Sequence, residues 1–256
     1  TFSPDNIKEV LDDIRKDKSV NNVLLYINSG GGSVTASEKI RNMLVNFKKE
    51  TGKTLTVSMN GLAASGAYWI STAADYVYAS PETITGSIGV FSLGISADKL
   101  LNEYGVYEDG VETSELARTS IAREMPQSQK IEIQLSVESI YKKFITLARN
   151  AHPELQKVDY REFAEGRIFT VYDAKNLHLI NDIDTFDNLI TNAKKQIEKN
   201  KHTICKVKHF VPDGIDSQFI LKRLLSTHIQ GLVSDHTLKM LLSWFDTASV
   251  KGSNTQ

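Results

Sequence analysis

Residues 54–75 read TLTVSMNGLAASGAYWISTAAD. The opening six, TLTVSM, alternate β-branched and apolar side chains and predict a strand over 54–59. They run into small residues, Gly61, Ala63, Ala64, Ser65, Gly66 and Ala67, and then into an apolar stretch that predicts a buried helix over 63–75. Small residues at such a corner let the backbone turn tightly and let another molecule come close. Ser65 stands at that corner. A lone serine there is structural more often than nucleophilic, so its meaning depends on what the rest of the chain brings beside it.

Immediately upstream, VNNVLLYINS (20–29) predicts a continuous buried strand that ends in Gly30, Gly31 and Gly32. An amphipathic helix comes next over 33–52, closed by Gly52. A glycine turn before a helix leaves backbone N–H groups free, which suits an anion or a developing oxyanion. Taken alone this is weak, because glycines at such corners are usually only turns. Two consecutive strand–glycine–helix units, however, set both corners at one edge of a parallel sheet. A serine on one corner and N–H donors on the other is what acyl transfer requires.

The flanking segments extend the pattern. SPDNIKEVLDDIRKD (3–17) opens with a capping signature and predicts a helix. YVYA (76–79) predicts a short strand. TITGSIGVF (83–91) and YGVYEDGVET (104–113) predict strands around a helix near 96–104. From Pro126 the sequence turns helical: one long helix over 126–152, with the pattern continuing through GRIFTVYDAKNLHLIND (166–182) to about residue 200. Beyond that, 201–256 predict a strand, two helices and a polar tail. Alternating strands and helices in the first half define an α/β fold with parallel pairing. The expected organisation is a domain over 1–200 and a strand/helix extension over 201–256.

With 256 residues, 41% apolar and 24% charged, the chain has the composition of a globular protein with a real core. A net charge of −1 gives no reason to expect nucleic acid as a partner. Cys205 is the single cysteine, which excludes an internal disulfide and a cysteine-based zinc site; no cofactor or metal is expected. The first residue is Thr rather than Met, and the expectation is a piece of a longer protein.

A serine nucleophile needs a base. The six histidines, at 152, 178, 202, 209, 228 and 236, all fall after the corners. Lys39, Lys48, Lys49, Lys53 and Lys99 are expected on helices or their ends, in solvent. None is a convincing base.

Three blocks, INSGGGSVTASEKIR (27–41), GLAASGAYWISTAADYVYASPETITGSIGVF (61–91) and AEGRIFTVYDAKNLHLI (164–180), resemble the signal peptide peptidase A family. These are Ser/Lys membrane-associated proteases related in fold to the Clp protease and crotonase families. The resemblance runs from about residue 5 to about residue 190, and DGVETSELARTSIAREMP (109–126) resembles the carboxy-terminal half of the long tandem form. It implies a Clp protease/crotonase-like α/β fold of repeated strand-strand-helix units with a helical C-terminal extension.

By that resemblance Ser65 is the nucleophile, Gly32 and Gly66 supply the oxyanion amides, and Ser87 orients the general-base lysine. Ser33 and Val34 on one side, and Ile88, Gly89 and Val90 on the other, would take an extended peptide as an added strand. The base does not carry over, because Ala117 stands where single-domain members place the lysine, and a guanidinium such as Arg118 cannot deprotonate at workable pH. In the tandem form an amino-terminal half donates that lysine. The family further implies signal peptides as substrates, a homo-oligomeric ring, and the periplasmic side of the bacterial inner membrane, through an anchor outside this chain. Two rivals stay open: a crotonase-type acyl-CoA enzyme using the same amides, and a non-catalytic assembly half. Apolar stripes in 219–233 and 238–245 fit packing on the core or a neighbouring subunit, or a membrane surface.

Overall fold

The computed structural model describes residues 3–201 and 206–210. The chain divides into two units, Thr1–Lys208 and His209–Gln256, and the fold described is that of the first. The strand β1 (Asn22–Ser29) leads through the triple glycine to α2 (Val34–Thr51), and β2 (Thr54–Ala64) leads through Ser65 to α3 (Gly66–Ser71). Then come β3 (Tyr76–Ala79), β4 (Ile84–Gly86), α4 (Asp98–Glu103) and the long α5 (Gln127–Ala151). A 3-10 turn, α6 (Tyr160–Phe163), β5 (Ile168–Thr170), α7 (Val171–Asn176), β6 (Asp182–Ile183) and α8 (Phe186–Lys201) complete it, with α1 (Pro4–Lys16) at the start.

The sheet is built around β2. Its first half pairs in parallel with β1, from Asn22↔Thr54 to Ile27↔Met59, and with β3, from Thr56↔Tyr76 to Met59↔Ala79. Its second half pairs in parallel with β4, from Leu62↔Ile84 to Ala64↔Gly86. Between the halves Gly61 takes φ +69, and the β1 register slips so that Ser29 faces Ala63. A bulge of this kind bends the strand and re-aims its C-terminal end, which here carries Ser65. β6 extends the sheet beside β3, and β5 closes it antiparallel to β4.

Local chemistry explains the helices. Ser3 and Asn6 form a reciprocal capping box on α1, which buries Leu11 and Ile14. Ser33 caps α2 by accepting from Ala36 N, and Gly52 ends it at φ +66. One face of α2 buries Ile40, Leu44 and Phe47. The core joins Val57, Met59, Tyr68, Trp69, Phe144 and Phe163, each at most 2% exposed. Burial of each contributes about 2–3 kcal/mol against leaving it in water. Phe144 of α5 packs against Trp69 with ring centroids 4.7 Å apart and planes tilted by 50°, and Tyr68 Oη donates to Leu179 O at 2.9 Å inside that core.

Several expectations are corrected. β1 buries only Ile27, with Tyr26 45% exposed, because among the described strands only β2 pairs with it. Ala63 and Ala64 belong to β2, so the corner helix is the short Gly66–Ser71. The strand over 83–91 stops at Gly86, where Gly86 and Ser87 take φ +89 and +51. No strand forms over 104–113; β4 is already paired on both sides, and Glu108 and Glu112 instead bind Arg118. In 166–182 the helical pattern yields to β5 and β6, since tertiary pairing outweighs a weak periodicity in short segments. The elements expected in 201–256 lie outside the described residues, apart from 206–210, which form no strand.

Candidate active site

Ser65 sits between β2 and α3 at φ +53, ψ −121. A non-glycine residue there costs of order 1–3 kcal/mol and persists only where the surroundings enforce it. Two hydrogen bonds do so: Ser65 N donates to Gly86 O at 2.9 Å, and Ser65 O accepts from Trp69 N at 2.9 Å. A serine strained at a strand-to-helix turn presents its hydroxyl clear of both elements.

The glycine corner presses against it. A Cβ on Gly31, whose φ is +103, would lie 2.6 Å from Gly66 N and 2.9 Å from Ser65 Cβ. A Cβ on Gly66 would lie 2.4 Å from Ser37 Oγ and 3.0 Å from Gly32 N. Gly31 therefore requires glycine, a Cβ at Gly66 would have to displace the Ser37 hydroxyl and press on Gly32 N, and the backbones at Gly32 and Gly66 come together beside Ser65. Neither the Gly32 nor the Gly66 amide donates to an acceptor among the described residues. Each stands at the N-terminus of a helix, α2 or α3, where the partial positive charge favours an anion.

The third corner is fixed from behind. Ser87 N donates to Arg167 O at 2.6 Å, and Ile88 O accepts from Gly166 N at 3.0 Å. The Ile88 side chain is fully buried, and Gly89 packs so closely on Gly166 that a Cβ would meet its Cα at 2.9 Å. Tyr141 Oη of α5 accepts from Glu165 N at 2.9 Å, which ties that clamp to the long helix. Gly89 and Val90 are thus the part of this edge whose backbone the clamp leaves open. Val34 and Val90 line one cleft of about 430 Å³ with Phe91, Leu116, Ile133 and Ile140. Ser33 Oγ is engaged in capping α2.

No lysine among the described residues stands at these corners. Lys48 and Lys53 are not solvated as expected. Lys48 pairs with Asp75 at 2.5 Å and donates to Ala73 O, and Lys53 donates to the carbonyls of Asp17 and Val20. Both lie at the end of α2 and the start of β2, the sheet edge opposite Ser65. Ala117 is exposed in a turn, its N donating to Ser114 O. Arg118 is held by Glu108 at 3.1 Å and Glu112 at 2.8 Å. His152 is buried at the end of α5, and burial holds its pKa down to about 4. No group of three His, Cys, Asp or Glu among the described residues could hold a metal ion, and no helix among them is long and apolar enough to cross a membrane.

Sequence reasoning missed the braces between the two corner helices. Glu38 of α2 accepts from Trp69 Nε1 at 2.9 Å, Asn42 Nδ2 at 3.0 Å and Lys143 Nζ at 2.8 Å. Burial works to raise the Glu38 carboxyl, but these bonds outweigh it and hold its pKa below the ordinary value. Arg41 Nε donates to Thr72 Oγ1 at 2.8 Å. The spacing of Ser37, Glu38 and Arg41 on one helical face was the available signal.

The sheet of parallel strands with its corner helices is that of a Clp-like α/β fold. The Clp protease family model matches residues 6–85, and the model of peptidase family S49 matches residues 47–200. The chain belongs to peptidase family S49. It is 42% identical over 182 residues to Protease 4 of Salmonella typhi, covering 71% of this chain and 29% of that protein. It is 34% identical over 230 residues to Protease 4 of Haemophilus influenzae, covering 89% and 37%. It is 30% identical over 210 residues to a putative signal peptide peptidase SppA of Enterococcus faecium, covering 81% and 60%. The chain thus spans about a third of the length of the two Protease 4 relatives. Among solved structures, a mutant of ClpP1 from Listeria monocytogenes matches 72% of this chain and 87% of its own, at 17% identity and TM-score 0.47.

Proposed function

We propose that this chain is the serine-bearing part of a serine endopeptidase that cuts extended apolar peptides, cleaved signal peptides among them. The observation that carries the reading is Ser65 at φ +53 against the open amides of Gly32 and Gly66. The Ser65 hydroxyl oxygen bonds to the scissile carbonyl carbon while a lysine outside the described residues takes its proton. The carbonyl oxygen becomes an oxyanion facing the two amides. The C–N bond then breaks, the lysine returns the proton to the leaving amine, and water hydrolyses the acyl-enzyme by the same route reversed. The Ser87 hydroxyl, on the corner bonded to Ser65, orients the lysine. The peptide lies as an added strand between Ser33–Val34 and Gly89–Val90, with an apolar side chain in the cleft between Val34 and Val90.

The lysine belongs to an amino-terminal half of the full-length protein, a reading supported by Ala117 at the lysine position and by relatives far longer than this chain. Assembly into a ring and residence at the periplasmic face of a bacterial inner membrane complete the proposal, on the strength of the family alone. A fluorophosphonate probe tests it on the intact protein: the reading expects labelling at Ser65 and loss of both labelling and peptide cleavage in Ser65→Ala. Undiminished cleavage by that variant overturns it, and turnover of an acyl-CoA without labelling gives the site to crotonase-type chemistry.

A further inference from the structure

Seven serine and threonine side chains are buried in the described part of this chain: Ser37, Ser58, Ser71, Thr72, Ser80, Thr83 and Thr85. Six of the hydroxyls are hydrogen-bonded. Ser71 and Thr72 return to carbonyls of α3, and Thr83 and Thr85 to carbonyls of β2. Ser58 and Ser80 share Asn60. Ser37, 4% exposed, is the exception: its Oγ has no hydrogen-bond partner among the described residues, although its N donates to Ser33 O in the first turn of α2. Buried hydroxyls are normally satisfied, and a serine in a helix has the carbonyl four residues back within reach. Ser37 Oγ is not sealed: among the described residues the side-chain polar atoms both sealed from solvent and without a hydrogen bond are Glu112 Oε2, Arg118 Nε and Arg123 Nε. A hydroxyl that is free of protein partners and still reached from solvent can be met by a molecule entering the site.

Its position says which partner. Ser37 Oγ lies 2.4 Å, and Gly32 N 3.0 Å, from the single point that a Cβ on Gly66 would occupy. The hydroxyl therefore stands at the meeting of the two glycine corners, beside the Gly32 and Gly66 amides. Donors aimed at developing charge are most effective when they are already placed and hold no other partner. The Glu38 and Arg41 bonds to α3, one and four residues on, keep this face of α2 seated on the serine helix.

We infer that Ser37 is a third donor of the oxyanion site: its hydroxyl turns to the carbonyl oxygen of the bound peptide as that oxygen takes on charge. The inference rests on the proposal that Ser65 attacks a peptide carbonyl between the Gly32 and Gly66 amides. It adds a side-chain contact that exists only when substrate is present, and it explains why a polar atom sits where a methyl group would pack as well.

The test compares Ser37→Ala, Ser37→Thr and Ser65→Ala in the intact protein. For Ser37→Ala the expected result is a fall of about 10–100-fold in kcat with KM little changed. Affinity for a peptide aldehyde, which forms a tetrahedral oxyanion, should fall in proportion to kcat/KM, while affinity for the unreactive product peptide holds. Thermal stability should stay level, since no hydrogen bond within the protein is lost, and Ser37→Thr, which keeps the hydroxyl, should retain more activity than alanine. An unchanged kcat in Ser37→Ala, or a loss that tracks a loss of stability and of product affinity alike, overturns the inference. If Ser65→Ala is inert in the same assay, that failure belongs to Ser37 alone; if Ser65→Ala is fully active, the underlying reading falls with it.

Discussion

The backbone amide of Ser65 donates to the carbonyl of Gly86 at 2.9 Å. One hydrogen bond thus couples the serine corner to the corner that carries Ser87, and the Ser87 amide in turn donates to Arg167 O. Ser65 and Arg167 are linked through two backbone hydrogen bonds on either side of the Gly86–Ser87 peptide.

The glycines divide by what surrounds them. Gly66→Ala forces a Cβ to 2.4 Å from Ser37 Oγ, and Gly31→Ala forces one to 2.6 Å from Gly66 N at a φ of +103. Both should lower peptidase activity by at least about 100-fold, the loss typical of a displaced oxyanion donor. Gly30→Ala meets only Leu62 Cδ2, at 3.3 Å, and should stay within a few-fold of the parent. Steady-state cleavage of one fluorogenic peptide by the three variants checks this; equal losses in all three would contradict the geometry.

The proposal that the general base lies outside this chain makes a separate prediction. General-base assistance is worth roughly 10²–10⁴ in rate, so residues 1–256 alone should fold yet cleave at about 1% of the intact rate or less. Adding the rest of the full-length protein should restore cleavage, and a single Lys→Ala change in that part should remove it. The restored rate should fall toward low pH as the lysine gains its proton. An isolated chain as active as the intact protein would show that a base lies within it.

His152 predicts the acid limb of stability. Burial depresses its folded pKa from 6.5 to about 4, with Glu154 opposing and His178 assisting. Between those values the unfolded chain binds a proton that the folded chain refuses. Stability is therefore complete above about pH 6.5 and is lost as pH falls toward 4, by about 1.4 kcal/mol per pH unit. The full effect is roughly 3 kcal/mol. Urea unfolding of His152→Leu and the parent at pH 7, 6 and 5 reads it directly: the parent should lose stability more steeply by one proton. Parallel slopes would refute the assignment.

Much of the candidate site's backbone was legible because it depends on local rules. Gly31 and Gly66 are read from the chain as corners, and the sequence order of strand, glycine and helix already sets both on one sheet edge. Gly52 marks the end of α2 by capping chemistry that acts within one turn, whereas the Ser33 cap at its start was not read from the sequence. The strand over 104–113 was misread for the opposite reason. Its alternating apolar residues satisfy a strand pattern, but a strand exists only where an edge is open to it, and β5 already occupies the outer edge of β4.

By itself the sequence determined the caps at Ser3 and Gly52, and that Ser65, Gly32 and Gly66 stand at neighbouring corners of an α/β sheet. Only the tertiary structure decided that Gly31 and Gly66 touch backbone to backbone, that residues 165–167 clamp the Ser87 corner, and that Ser37 is left unpaired beside the open amides. The physical reason is range. Turn and cap chemistry is settled within about four residues of chain, whereas close approach and a hydroxyl left without a protein partner are properties of what packs across the sheet. A serine four residues into a helix reads the same in sequence whether its hydroxyl returns to its own backbone or waits for a substrate.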